Sequence, residues 1–270
     1  MKGKVVLVTG STDGIGKETA LSITRMGARV LLHGRNAEKG RRVTEEIRKK
    51  SGNDRLDFFL ADLSLQGEVR RLAAEVEKEH DRLDVLVNNA GVFMKERRLT
   101  ADGIETTLAV NHLAPFLLTN QLIGLLKKSA PSRIVTVSSI AHRDAQVDWS
   151  NLQGERRFDG YEAYATSKLG NLLFTYELSR RLKGSGVDAN ALHPGVVRTK
   201  LLRAGFGDYP GDDPRKGAKT PIRLATSPEL EGKSGLYFER SQPAVSSPLS
   251  RDRAVQKRLW DISEKLVGLG

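Results

Sequence analysis

Tyr164 and Lys168 stand four residues apart, and on a helix that spacing puts both side chains on one face. An unperturbed phenol ionises at about pH 10, too high for efficient proton exchange at neutrality. An ammonium alongside favours the phenolate and is expected to lower that value. Such a pair suits giving a proton to a carbonyl oxygen or taking one from an alcohol. Y-x-x-x-K alone is equally an exposed tyrosine and lysine on an ordinary helix, so the pair needs company before it carries a function. Tyr161 has no such partner, because Ala165 lies four residues on.

A second group suits phosphate. Val5–Val8 runs into Thr9-Gly10-Ser11-Thr12-Asp13-Gly14-Ile15-Gly16 and then an amphipathic stretch. Glycines let the backbone turn tightly and approach a pyrophosphate, and the helix that follows offers free N–H groups and the positive end of its dipole. The spacing is G-x-x-x-G-x-G rather than the G-x-G-x-x-G of the common dinucleotide fingerprint. Lys17 suggests a P-loop, but Ser11 stands where that motif needs glycine and Glu18 where it needs a magnesium-binding hydroxyl, so the P-loop reading fails. Three glycines can also cap a helix and bind nothing.

Ser138 and Ser139 compete as the hydroxyl that could hold a reacting oxygen. Asn111 sits inside a helical pattern, where asparagine is an indifferent former and reads equally as a surface or helix-bending residue. His112 has no nucleophile to serve as a base. His142 and His193 read as positioning or structural groups, because no H-x-x-x-H-type spacing forms a ligand set, and no metal site is expected.

These residues must be held by a scaffold, and the hydrophobic pattern describes one. Short apolar runs at Lys4–Val8, Arg29–His33, Asp57–Leu60, Val85–Asn88, Arg133–Ser138, Val187–Leu192 and Ser234–Phe238 alternate with amphipathic stretches. Helices are expected over Ile15–Met26, Ala37–Lys50, Gln66–His80, Ile104–Lys127 (with a break near Pro115), Ala163–Leu182 and Ser250–Leu266. Gly27 and Gly52 stand where helices should end. The pattern predicts a single doubly wound α/β domain over residues 1–270, with about seven parallel strands and helices on both faces. Two stretches break the rhythm, His142–Gly160 and the Gly- and Pro-rich Lys200–Pro221. Both follow strand carboxyl ends, where such sheets bind ligands, so both read as lids or substrate walls, together with Met94–Gly103.

The 270 residues contain no cysteine, which removes disulfides, thiolate metal sites and cysteine nucleophiles and fits a reducing compartment. No run approaches the ~20 apolar residues that span a bilayer, and the first strand begins too early for a leader, so a cytoplasmic chain is expected. The formal charge is +11, yet Arg41, Arg42, Arg48, Lys49 and Lys50 share a helix with Glu45 and Glu46. That mixture reads as ion pairing along a helix face rather than a phosphate-tracking stripe, and no nucleic-acid partner is expected.

Four motifs occur in order: T-G-x-x-x-G-I-G at Thr9–Gly16, Asn88-Asn89-Ala90-Gly91 after the fourth strand, Tyr164-x-x-x-Lys168, and Pro194-Gly195 after the sixth strand. Together they resemble the short-chain dehydrogenase/reductase family over essentially the whole chain. Arg133–His142, Leu152–Glu155 and His193–Val197 are similar to its retinol-dehydrogenase-like branch. The resemblance implies a nicotinamide-dependent oxidoreductase interconverting a carbonyl, an aldehyde or ketone with retinal-like compounds among the candidates, with an alcohol. It implies a tetrad of Asn111, Ser139, Tyr164 and Lys168, with the second serine orienting the oxygen and Asn111 joining a water-linked proton relay to Lys168. It places Gly10, Ser11, Thr12, Gly14, Ile15 and Gly16 at the phosphates, Asp62 and Leu63 at the adenine, and Asn89, Ala90 and Gly91 along the adenosine ribose. Pro194, Gly195, Val197 and Thr199 would flank the nicotinamide and pyrophosphate, with Tyr164 and Lys168 at its ribose.

Cofactor choice turns on Leu31–Asn36, where no acid stands between Val30 and Ala37. A carboxylate there would bind the ribose hydroxyls of NAD and repel a 2′-phosphate. Arg35, beside Asn36, can instead fork onto that phosphate, so NADP(H) is preferred and NAD(H) stays open. A steroid or 3-oxoacyl reductase of the same family, and a non-catalytic NADP(H) sensor, are the alternatives; Tyr164 and Lys168 count against the sensor. Many relatives dimerise through the helix carrying Tyr164 and the one before the fifth strand, and the insertion at 142–160 could cover that surface, leaving homodimer and monomer both open.

Overall fold

Val5, Val6, Leu7 and Val8 are all buried because alternate side chains of a strand face opposite ways and this strand is covered on both sides. It is β1 of one sheet in the computed structural model, which describes residues 1–269. The other strands are β2 (Arg29–Gly34), β3 (Leu56–Leu60), β4 (Val85–Asn88), β5 (Ser132–Val137), β6 (Val187–His193), β7 (Tyr237–Glu239) and β8 (Gln242–Ala244), in spatial order β3-β2-β1-β4-β5-β6-β7-β8. The first seven run parallel, as expected. The eighth is an addition: β8 turns back antiparallel on β7 through Arg240 and Ser241, both at positive φ. Such a turn normally advertises itself with Asn-Gly or Asp-Gly, and Arg-Ser gives no such signal.

The helices are α1 (Gly14–Arg25), α2 (Ala37–Ser51), α3 (Gln66–Glu79), α4 (Thr106–Leu108), α5 (Ala114–Lys128), α6 (Gly160–Arg181), α7 (Lys200–Phe206), α8 (Pro214–Gly217), α9 (Lys219–Thr226) and α10 (Arg253–Leu266). Leu7 and Leu31 face α3, α5 and α6 on one side of the sheet, whereas Val6, Val8 and Val30 face α1, α2 and α9 on the other. Asp13, Asn36, Asp159 and Thr199 each cap the helix that follows with a side-chain oxygen. Gly52 ends α2 at φ +68, the left-handed conformation that favours glycine.

Three expectations need correction. The break expected near Pro115 lies one turn earlier, as a π-helical turn at Ala109–Leu113 between α4 and α5. Proline has no N–H for the carbonyl four residues back, which is that of Asn111, so the helical ladder is disturbed there rather than at the proline. Lys200–Pro221 is not irregular: it holds α7, α8 and the start of α9, seeded by the caps of Thr199 and Asp213. The 142–160 insertion does not line the cleft that holds Tyr164 and Lys168. Its Ala145, Val147, Trp149 and Leu152 pack on Leu169 and Leu173 of α6 and Leu259 of α10.

The strand order reverses between β1 and β4, and the turns after those strands lie against each other. A Cβ on Gly10 would come within 2.9 Å of Ala90 Cα, so the two backbones touch. A crevice opens at such a reversal, beyond the strand carboxyl ends.

Candidate active site

The crevice is a cleft of about 690 Å³, well within the size of small-molecule sites. Gly10, Thr12, Gly14, Ile15, Gly16, Arg35, Asn36, Asp62, Leu63, Asn89, Ala90 and Gly91 line one part of it. Ser139, Tyr164, Lys168, Pro194, Gly195, Val197 and Thr199 line the rest. Two expected residues do not reach it. Ser11 is fully buried and turned the other way, its Oγ accepting the His33 N–H at 2.9 Å. Asn111 is fully buried behind the wall: its Oδ1 accepts from Val92 N at 2.7 Å, and its Nδ2 donates to the Val92 carbonyl at 2.9 Å and to Ser167 Oγ at 3.0 Å.

At the phosphate end, Ile15 and Gly16 open the first turn of α1, where N–H groups have no partner within the helix. His33 was not anticipated there, and it holds the turn. The Gly10 N–H donates to His33 Nδ1 at 3.0 Å and His33 Nε2 meets the Ala61 carbonyl at 3.1 Å, so the proton sits on Nε2. Burial pushes His33 down to about 4 and keeps it neutral. Lys39 was also missed, although it lies only four residues after Arg35, in the first turn of α2. It reaches Asp13 at 2.6 Å, and Lys200 of α7 reaches the same carboxylate at 3.3 Å. Burial works against the charge on Asp13, but the two ammonium groups hold its carboxyl below the usual range. Arg35 is exposed and has no ion pair among the described residues.

At the other end, Tyr164 and Lys168 come from the second and third turns of α6. Burial pushes the Tyr164 phenol up to about 12, while the adjacent Ser139 hydroxyl favours its ionised form. The lowering expected from Lys168 is not seen: burial, opposed by the Ser139 hydroxyl, sets the phenol's value. Burial also lowers Lys168 to about 8, and its Nζ donates to the Val137 carbonyl at 3.2 Å. Ser139 is the second residue past the end of β5, and the first, Ser138, is a structural peg whose Oγ donates to the Lys168 carbonyl at 2.7 Å. A Cβ on Gly91 would lie 3.4 Å from both Lys168 Nζ and Asn111 Oδ1, so the bare glycine leaves room beside these groups.

Aromatic rings continue the cleft outward. Phe93 packs on Tyr164 with centroids 5.3 Å apart, and Phe206 of α7 meets Phe93 at 5.4 Å and Tyr161 at 6.0 Å. Gly205 makes this possible, since a Cβ there would strike the Phe93 ring at 2.7 Å. Tyr161, without a lysine partner, is a rim residue. Met94–Gly103 contributes nothing to the lining, and of the segments expected to wall substrate only 200–221 does, through Leu201, Leu202, Phe206 and Tyr209.

The model of the short chain dehydrogenase family matches residues 4–208. The chain belongs to the short-chain dehydrogenase/reductase family. Human retinol dehydrogenase 11 is 44% identical over 277 residues, covering 100% of this chain and 87% of that protein. Human retinol dehydrogenase 14 is 40% identical over 296 residues, with 100% and 88% covered. These likenesses put the chain in the retinol-dehydrogenase-like branch. A Mycobacterium paratuberculosis protein of known structure superposes with a TM-score of 0.81 at 32% identity, covering 99% of this chain and 94% of that one. A Shigella flexneri short chain dehydrogenase, solved in complex with NADP, superposes at 0.74 with 27% identity and coverage of 90% and 98%.

This short-chain dehydrogenase is therefore an oxidoreductase that interconverts CH–OH and carbonyl groups with a nicotinamide cofactor. The cleft fits such a cofactor, with paired glycine-rich turns and free helix N–H groups at one end and the tyrosine, serine and lysine at the other. No helix among the described residues is long and apolar enough to cross a membrane.

Proposed function

We propose that the chain is an NADPH-dependent reductase of aldehydes or ketones with an extended apolar body, with Tyr164 as proton donor. The observation that carries the reading is the convergence of Tyr164, Ser139 and Lys168 at the foot of a cleft whose far end presents Arg35, with no acid in the Leu31–Asn36 stretch that carries it. Ser139 would hydrogen-bond the carbonyl oxygen and orient it toward the phenol. Tyr164 would pass its proton to that oxygen as negative charge develops there, and at about 12 it stays protonated and ready at neutral pH. The Lys168 ammonium would stabilise the phenolate left behind and hold the nicotinamide ribose. The bound nicotinamide supplies the hydride. Asn111, locked to Val92 and Ser167, would shape the wall behind Lys168 and offer its freed carbonyl to a proton relay.

Arg35 would fork onto a 2′-phosphate, with Lys39 close by in the first turn of α2; the NADP complex of the Shigella relative supports this choice. The rings of Phe93, Phe206, Tyr161 and Tyr209 favour a flat or polyene substrate, and the retinol dehydrogenases among the relatives point to retinal as the first compound to try. The test is absorbance at 340 nm with NADPH and NADH and a panel running from short aldehydes to all-trans-retinal. Faster turnover of long apolar carbonyls with NADPH is expected. Absence of turnover despite tight NADPH binding would overturn the enzymatic role of the triad in favour of a sensor.

A further inference from the structure

Two histidines beside Ser139, His142 buried and His193 half-buried, have no part in the steps above. The Ser139 carbonyl and the Ile140 N–H belong to one peptide group, and an imidazole holds each end of it. His142 Nδ1 lies 2.6 Å from the Ser139 carbonyl oxygen, and the Ile140 N–H donates to His193 Nδ1 at 3.1 Å. Partners dictate the tautomers. The Ser247 N–H donates to His142 Nε2 at 3.1 Å, so the proton of His142 sits on Nδ1 and is given to Ser139. His193 accepts at Nδ1, so its own proton sits on Nε2.

The two rings come from different parts of the fold. His142 belongs to the turn after β5 and stands edge-on to Tyr237 of β7, with centroids 5.1 Å apart, while His193 closes β6. The peptide following Ser139 is thus gripped from the neighbouring strand and, through Ser247, from the segment leading to α10. Ser139 is extended, with φ −154° and ψ 159°, and turning that peptide would swing its side chain relative to Tyr164. We propose that His142 and His193 are positioning residues for Ser139, fixing the Ser139–Ile140 peptide so that the Ser139 hydroxyl faces the reacting oxygen.

The grip needs both rings neutral, because a second ring proton would face a backbone N–H. Burial supplies that condition: it pushes His193 down to about 4 and holds His142 below its ordinary value. Glu239 favours the charged form of both and Asp144 that of His142, whereas Arg143 opposes both and Arg240 opposes His193. Arg143 and Glu239 pair with each other at 3.0 Å.

The inference rests on the role proposed for Ser139, and a double-mutant cycle separates the two. His193→Leu should lower kcat by about 10- to 100-fold, the scale of a small misplacement of a reacting group, with NADPH affinity unchanged within about twofold. The same substitution in a Ser139→Ala background should lower the residual rate by less than about twofold. His193→Asn, whose Oδ1 can accept the same N–H, should recover most of the lost kcat, and His142→Asn, which keeps the donor to Ser139, should do so relative to His142→Leu. Should His193→Leu fail to fold, His193→Ala, which also removes the acceptor, serves in the cycle. Equal losses in both backgrounds, or asparagine variants that fold normally yet are as slow as the leucine ones, would overturn the positioning role. A Ser139→Ala enzyme with full turnover would overturn the role of Ser139, and the inference with it.

Discussion

The Lys168 ammonium lies 5.6 Å from the centre of the Tyr164 ring, one helical turn away, and both side chains are buried. Burial drives the two in opposite senses, the phenol up to about 12 and the ammonium down to about 8. Tyr164→Phe removes only the hydroxyl that carries the proton. Its turnover should fall by at least about 100-fold, the scale of positioned acid catalysis, while NADPH binding measured by fluorescence stays nearly intact. Turnover like that of the parent enzyme would remove Tyr164 from the mechanism.

Lys168 should also be a cost to the fold. Its folded value of about 8 lies below the ordinary 10.5 of a free lysine, so between these the unfolded chain binds more protons and stability rises with pH. Below about pH 8 the charge is buried in the folded state, at a cost on the order of 3 kcal/mol. Lys168→Met should therefore raise the melting temperature at pH 7, with a gain that shrinks toward pH 10, while abolishing turnover. The Val137 carbonyl that Lys168 contacts keeps a donor in Asn171 Nδ2 at 3.1 Å. Thermal melts across pH 6–10 check the sign; a gain independent of pH would refute it.

Arg35→Asp should weaken NADPH by about 100-fold and leave NADH nearly unaffected or improved, because it replaces a charge-assisted bond to phosphate with repulsion. Lys39→Ala should weaken NADPH more modestly. Direct titration with both cofactors decides, and equal weakening of the two would show that Arg35 does not read the phosphate.

α10 lies across α5 and α6, the helices that the family resemblance offered as a dimer contact. Trp260 packs edge-on to Phe116 of α5 at 4.8 Å, stacks on Phe174 of α6 at 5.9 Å, and lies under the Arg181 guanidinium at 4.1 Å. With the 145–152 segment beside it, the chain covers this face itself, and a monomer is expected in light scattering; a stable dimer through α5 and α6 would contradict it. Trp260→Ala should cost about 3–5 kcal/mol, as large aromatic truncations in cores do, and leave that face open to association.

Much of the parallel sheet could be read from β-branched runs, and the catalytic side chains from motif spacing, because both signals are local. Glycine and proline content misled at 200–221, where the caps of Thr199 and Asp213 decide the conformation. His33 escaped notice because its partners, Gly10 and Ala61, adjoin it only across the sheet. The pairing of Phe93 with Phe206 likewise depends on how α7 folds over the cleft, and Gly205 reveals its purpose only when the ring it admits is in place. The raised value of Tyr164 could not be had from the spacing of Tyr164 and Lys168, since spacing gives proximity and says nothing of water exclusion.

The short hairpin after β7 has a consequence for how copies of this protein meet. A parallel sheet that simply ended at β7 would show its neighbours a row of unpaired amides, a template for joining sheet to sheet. Instead β8 caps it with three residues centred on Pro243, opposite Phe238. The two-residue turn makes Glu239 and Gln242 the mutually bonded pair, so the backbone nitrogen of Pro243 faces away from β7, and it carries no hydrogen. The sheet terminates in a strand that cannot be extended in register, which guards a crowded solution of the enzyme against edgewise polymerisation on that side.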